Sequence, residues 1–252
     1  MSDYDDAAEA WIEGPAAVYA RFAAAMLEHS PVPLGGAVVL DVGAGTAVAS
    51  DAALTIGARR AVATDVAEQM LRRRSPPIQA AVADAARMPF GDDTFDLVMG
   101  AFCLGHLPDP AAALNEWRRV GDAVVATAFG SGPAHPAKTA VDATMEQFGF
   151  VSPPWYERLK DELEPQVEDP ELLESLARSA GFQEIAVTQV TVDAGVRTPA
   201  EIVRWRWGMA HLAPFVAGLS ASQRDEARSA AEEAVTGHVP VIVDIQVLSA
   251  VG

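Results

Sequence analysis

Between about residue 37 and residue 130 the sequence alternates short apolar runs with helix-like segments, and no other feature restricts the fold as much. The apolar runs are "AVVLDV", "RAVATDV", "IQAAVAD", "FDLVMGAF" and "AVVATAF". Between them lie "VASDAALTIG" closed by Gly57, a helix through "AEQMLRRR", and "PAAALNEWRRV". Nearly continuous apolar strands separated by helices predict an α/β fold, a doubly wound, mostly parallel sheet covered on both faces.

After residue 130 the pattern changes. Residues 131–170 begin proline-broken and helical, and 197–238 form a second helical stretch. These two insertions are expected to lie together as a cap over the strand ends. "PELLESLARSAGF" is amphipathic with Gly181 as its stop, "EIAVTQVTVD" reads as a strand, and "VPVIVDIQVLSAV" supplies the last one. Residues 1–36 precede the sheet as a helical lid, its helix over 4–28. A chain of 252 residues and 26.5 kDa with no internal repeat or flexible linker fits one domain over 1–252.

Composition excludes several classes of partner. The apolar runs are interrupted and far short of the ~20 residues of a membrane span. "MSDYDDAAEAW" is acidic and unlike a secretory leader. The lone Cys103 rules out an intramolecular disulfide framework and a multi-cysteine zinc site, so a cytoplasmic location is expected. A net charge of −17 repels polyanions, which excludes nucleic acid and anionic membranes as partners. The basic cluster Arg72-Arg73-Arg74 reads as the solvated end of a helix rather than a phosphate site. Five scattered histidines, with no carboxylates paired at ligand spacing, predict no metal. A monomer and a homodimer both remain open.

The first apolar run ends in an acid and a glycine loop, "VVLDVGAGTAVASDAAL". In an open parallel sheet, ligands bind beyond the carboxyl ends of the strands. There Gly43, Ala44 and Gly45 present a bare backbone to a polar ligand. A dinucleotide fits poorly. The sixth position of its fingerprint is the bulky Val48, and Asp41 would face a pyrophosphate. No Gly-Lys-Ser/Thr follows, which excludes a P-loop. S-adenosylmethionine suits the acid, because it carries a sulfonium and an ammonium and only one carboxylate. Asp65, at the end of the second run, can accept both ribose hydroxyls, and Asp84, closing the third, can accept from the adenine amino group. Each acid alone also fits a helix N-cap; three at the ends of successive strands favour a nucleoside site.

"VVLDVGAGTA", "ATDVAEQML", "VADAARMPFGDDTFDLV" and "GHLPDPAAALNEWRRV" resemble the successive motifs of class I S-adenosylmethionine-dependent methyltransferases. The closest likeness is to the small-molecule branch of the ubiquinone/menaquinone-biosynthesis type. It is strong over residues 37–130 and weak in the final strand. The resemblance implies a seven-stranded Rossmann-like sheet and S-adenosylmethionine as cofactor. It places Asp41, Gly43, Ala44 and Gly45 around the methionine moiety, Asp65 on the ribose, and Val66 and Met70 against the adenine. Asp84 and the Ala85 backbone fall at the adenine edge, and Phe102 near the sulfonium. Tyr4, Trp11 and Tyr19 lie where relatives close a lid, although core packing explains them equally well. Two positions depart from the family: its third loop glycine is Ala47, and "RRVGDAVVATAF" shortens the turn before the fifth strand.

Methyl transfer from a sulfonium needs alignment and a dry pocket more than a dedicated nucleophile. An oxygen or acidic carbon acceptor benefits from a base, and His106 in "CLGHLPD" is the candidate, with packing on the cofactor or capping of the next helix as the alternative. Cys103 reads as a small buried residue. In the cap, Trp155, Trp205, Trp207 and Met209 are candidates to wall an apolar pocket, Arg204 or Arg206 to meet a carboxylate, and His135 and His211 to face the substrate. The expected activity is methylation, at oxygen or carbon, of a small, mostly hydrophobic metabolite of secondary metabolism. The alternative keeps fold and cofactor but catalyses a non-methylating cyclisation or rearrangement.

Overall fold

The computed structural model describes residues 3–252, so the first two residues of the expected lid segment lie outside it. Seven strands form one sheet: β1 Val38–Val42, β2 Arg60–Asp65, β3 Gln79–Val82, β4 Leu97–Ala101, β5 Ala123–Phe129, β6 Glu184–Asp193 and β7 Ile242–Val251. Their spatial order is β3-β2-β1-β4-β5-β7-β6. Pairing is parallel from β3 through β5, and β7 runs antiparallel to both β5 and β6. This is the doubly wound sheet that the alternation predicted, with the seven strands that the resemblance implied. Strand order reverses between β1 and β4, so the glycine loop after β1 emerges at a topological switch point.

Burial alternates along the central strands. Val39, Leu97, Met99, Ala123 and Val125 pack into one layer, while Leu40, Val42, Val98, Val124 and Ala126 pack into the other. The second layer is built on α5 (Pro110–Val120) and α8 (Pro170–Ser179). The first contains α2 (Pro15–Leu27), α3 (Val48–Ile56), α6 (Pro136–Gln147), α9 (Pro199–Trp207) and α11 (Ala221–Ala234). The remaining helices are α1 (Ala8–Glu13), α4 (Glu68–Leu71), α7 (Pro154–Arg158) and α10 (Ala213–Gly218). None of the helices is long and apolar enough to cross a membrane, among the described residues.

Local chemistry sets the helix starts. Asp109 and Asp169 accept from the first-turn amides of α5 and α8, and Thr198 with Glu201 forms a capping box on α9. A proline follows each of these caps, where its missing N–H costs nothing.

The two insertions meet, since α6 packs against both α9 and α11. They also share one hydrophobic cluster with the sheet, so α6, α9 and α11 extend a helical layer rather than forming a detached cap. Within the first insertion, the turns after α7 pack against the 3-10 turn Leu104–His106. The helix expected through "AEQMLRRR" is a correction: α4 is a single turn. The Arg74 guanidinium donates to the carbonyls of Leu71 and Ile78 and folds the chain back at that point.

Candidate functional site

The loop after β1 folds in the left-handed region at Gly43 (φ 64°), Gly45 (φ 54°) and Ala47 (φ 66°). A Cβ on Gly43 would stand 2.6 Å from Cys103 Sγ, so only glycine lets the loop pass the chain leaving β4. A Cβ on Gly45 would meet nothing within 4 Å, so its backbone faces open space. Ala47 bears about 1 kcal/mol of left-handed strain where the resemblance expects glycine, and its methyl is buried. The Ala44 amide donates to Thr64 O.

Asp41 lies beneath this loop, 1 % exposed. Its Oδ2 accepts from Ser50 N at 2.9 Å and Ser50 Oγ at 2.7 Å, tying β1 to α3. Its Oδ1 has no partner among the described residues, and neither has the buried Thr46 Oγ1. Burial pushes the Asp41 pKa up to about 7 against the Ser50 hydrogen bonds. An unsatisfied carboxylate oxygen under a bare loop fits a cationic amino group and repels a pyrophosphate.

Asp65 closes β2. Its Oδ2 accepts from Gly45 N and its Oδ1 from Ala67 N, each at 2.8 Å. The acid therefore anchors the glycine loop, a contact the sequence did not reveal, and retains lone pairs for two hydroxyl donors. Desolvation raises its pKa, against these backbone bonds. Val66 is 59 % exposed beside it, whereas Met70 is buried with Ala8 and Ala67 under Tyr4 and Trp11. Asp84 is a further correction. It stands two residues past the end of β3, exposed, in a turn where its Oδ1 accepts from Ala86 N. The Ala85 carbonyl accepts from the Trp117 indole at 3.1 Å.

The N-terminal segment is docked over this region. Asp5 accepts from Gln69 N at 2.9 Å, Glu9 pairs with Arg73 at 2.6 Å, and the Tyr4 hydroxyl lies 3.3 Å from His106 Nδ1. The Trp11 and Tyr19 rings lie tilted 4.8 Å apart, and Tyr19 meets Phe102 at 5.4 Å.

A second cluster forms beyond β4 and β5. Phe102 (φ 58°) donates its amide to Thr127, and its ring lies 4.4 Å from Phe129. His106 leaves the capping of α5 to Asp109, which removes the helix-cap alternative. Its ring is exposed within the cluster, yet the protein crowding around it pulls its pKa down to about 4, with Glu164 opposing. Trp155 lies 5.7 Å from Tyr4. His211 is buried, stacked on Tyr156 at 3.8 Å, with Nε2 3.2 Å from Arg206 Nη2. Arg206 is buried and reaches both Asp142 oxygens, at 2.8 and 2.9 Å.

The expected cap residues therefore divide. Trp155 meets Tyr4, which in turn meets His106, while Arg206 and His211 gather at Tyr156; Trp155 and His211 line a cleft of about 360 Å³ with Phe150 and Phe215. Arg204 points outward, so of the two arginines only Arg206 joins the cluster. His135 instead caps α6 through Ala137 N. Trp205 and Trp207 are core residues with unpartnered indole nitrogens, and Met209 packs half-buried on the same core. Lys138, Tyr156, Lys160 and Glu164 went unnoticed in the sequence. One signal was available: Lys138 and Lys160 are the chain's two lysines.

Comparison with known proteins agrees with this geometry. Residues 40–123 match the methyltransferase domain family. A demethylmenaquinone methyltransferase of Clavibacter sepedonicus is 32 % identical over 178 residues, 63 % of this chain and 71 % of that protein. A protein of Anabaena variabilis, provisionally described as a methyltransferase from an antibiotic biosynthesis pathway, superposes with a TM-score of 0.63 at 16 % identity. That match covers 92 % of this chain and 97 % of the other. A phosphoethanolamine N-methyltransferase of Haemonchus contortus, solved with S-adenosylhomocysteine, gives a TM-score of 0.56 at 19 % identity, over 91 % of this chain and 52 % of its own. The chain belongs to the class I S-adenosylmethionine-dependent methyltransferases, and within them to the quinone-biosynthesis type. It is an enzyme that methylates a small molecule with S-adenosylmethionine as cofactor.

Proposed function

We propose that the loop at Gly43, Ala44 and Gly45 holds the methionine end of the cofactor, with the Asp41 oxygen left unpartnered beneath it answering the ammonium. In the same reading Asp65 takes the ribose hydroxyls, Val66 and Met70 flank the adenine, and Asp84 and Ala85 bound its edge. Phe102 lies near the sulfonium, and Tyr4, Trp11 and Tyr19 close the lid. The single observation carrying this is the pairing of an open glycine backbone with Asp65 at the switch point, where the Gly45 amide and the acid are already joined at 2.8 Å. The chain then works as one methyltransferase domain with a lid and two cap insertions, in the cytoplasm, without nucleic acid, as a monomer or homodimer.

When bound, S-adenosylmethionine would supply a methyl group on a sulfonium, and transfer to an acceptor in line with the carbon–sulfur bond would leave S-adenosylhomocysteine. The protein's part is to align that acceptor and exclude water. The acceptor is an oxygen or carbon of a small, mostly hydrophobic metabolite, with secondary metabolism as its setting. Support comes from the aromatic walls at Trp155, Tyr156 and Phe102, and from relatives that act on a demethylated menaquinone. His106 accepts the acceptor's proton: with a pKa near 4 its ring is neutral at pH 7 and has a nitrogen to offer.

The test is incubation with methyl-labelled S-adenosylmethionine and a panel of small aromatic hydroxy compounds. Label in product, with matching release of S-adenosylhomocysteine, supports the reading. Product formation without S-adenosylhomocysteine would mark a non-methylating use of the site. His106→Ala should lower kcat about a hundredfold with cofactor affinity unchanged, within the range of general-base contributions; unchanged kcat removes the base role.

A further inference from the structure

The side-chain cluster beyond β4 and β5, called the chamber below, holds unbalanced charge. Three cations reach it, Lys138 from α6, Arg206 from α9 and Lys160 from the turn after α7. Two carboxylates accompany them, and each is engaged: Asp142 with Arg206 at 2.8 Å, Glu164 with Lys160 at 2.5 Å. Lys138 has no carboxylate within 4.0 Å among the described residues. Its ammonium rests on aromatic faces instead, 4.3 Å from the Phe129 ring centre and 5.5 Å from that of Trp205. Burial pulls its pKa down to about 7, and Arg206 and Lys160 push the same way against weaker pulls from Glu164 and Asp142.

A half-buried cation without a carboxylate partner is an arrangement that a bound anion would stabilise. Its position is also informative. Phe129 ends β5, and its ring touches that of Phe102, which follows β4 where the acceptor would meet the methyl donor. The whole chain carries a net charge of −17, so general attraction does not draw anions to this enzyme. A specific cation is required if the substrate is one.

Building on the methyltransferase reading of this site, we propose that the missing counter-ion is the substrate itself, a flat, mainly apolar molecule bearing one oxyanion. Lys138 holds that oxyanion, a carboxylate, while Phe129, Phe102 and Tyr156 take the apolar body. Arg206 shapes the chamber from behind, its charge already answered by Asp142.

The experiment is calorimetry on the full chain saturated with S-adenosylhomocysteine, using aromatic monocarboxylates paired with their neutral amides, 1-naphthoate against 1-naphthamide first. The carboxylate should bind about tenfold or more tightly, as expected for one charge-assisted hydrogen bond in a desolvated site. Lys138→Met should abolish that preference and leave S-adenosylhomocysteine affinity unchanged, while Lys138→Arg should retain it. The proposal is overturned if no carboxylate in the panel outbinds its amide, or if the preference survives in Lys138→Met. The wild-type comparison of acid with amide decides the matter even if a variant does not fold. Failure of S-adenosylhomocysteine to bind, read first in the same cell, would strike the cofactor reading; normal binding with no carboxylate preference strikes only Lys138.

Discussion

The ends of β1 and β2 and the ends of β4 and β5 lie side by side at one edge of the sheet, yet they are built by opposite means. The first is made of backbone and acids from a short stretch: Asp41 accepts from Ser50, and Asp65 accepts from the Gly45 and Ala67 amides. The second is made of side chains drawn from distant segments: Phe102, His106, Phe129, Lys138, Tyr156 and Arg206. One face is acidic and suits a cation, and the other carries a surplus cation. In the proposed reading, a cofactor shared by many enzymes is held by what a loop can offer anywhere, whereas an acceptor particular to this enzyme is met by replaceable side chains on the insertions.

The largest effect that can break this contrast lies in the chamber. Asp142→Ala leaves Arg206, with 5 % of its side chain exposed, buried without a counter-ion, and should cost about 3–5 kcal/mol in urea denaturation. Arg206→Met should cost less, about 2 kcal/mol, because the Asp142 side chain is 30 % exposed and water can solvate it. Equal losses would mean the pair is not desolvated on the arginine side.

On the acidic side the comparison sharpens with pH. The folded chain holds a proton on Asp41 up to about pH 7, whereas the unfolded chain releases it near pH 4. The folded state therefore binds more protons in that window, and stability falls as pH rises through it, by at most about 4 kcal/mol. In Asp41→Asn without cofactor, the melting temperature between pH 4 and 7 should lose this downward slope. A slope identical to wild type would place the titration elsewhere.

Asp65→Ala removes the acid that anchors the loop and, in the proposed reading, takes the ribose hydroxyls. Equilibrium dialysis with labelled S-adenosylmethionine should show affinity weakened about tenfold or more, roughly 1.4 kcal/mol. The smallest expected effect on the fold comes from Gly45→Ala. Only left-handed strain opposes it, about 1 kcal/mol, since the new methyl meets no protein atom within 4 Å. Its loss of cofactor affinity should exceed that, because the methyl would stand in the cradle.

These two regions also explain what was legible in the sequence. The sheet, the glycine loop and the strand-ending Asp65 follow from short-range patterns: apolar period, turn residues, and an acid at a strand end. For Asp84 only the position was misjudged: β3 stops at Val82, and the acid stands two residues further on, in a turn where it accepts from Ala86 N. His135 misled because a histidine before a proline also caps a helix, and its ring accepts from Ala137 N. Alternation in "RWRWGM" implied one buried and one exposed face, but α9 is enclosed by α1, α2, α6 and α11, so Trp205, Arg206 and Trp207 are all buried. Lys138 escaped because its meaning depends on Phe129, Trp205 and the pairing of every neighbouring acid. No local pattern records such a charge balance.

The central claim is that the switch-point loop, and not the chamber, grips the adenosyl cofactor. Calorimetric titration of S-adenosylhomocysteine into wild type, Asp65→Ala and Lys138→Met tests it most directly. The account predicts one-to-one binding to wild type, unchanged in Lys138→Met and weakened about tenfold or more in Asp65→Ala. No binding at millimolar concentration, or full affinity in Asp65→Ala, would contradict it.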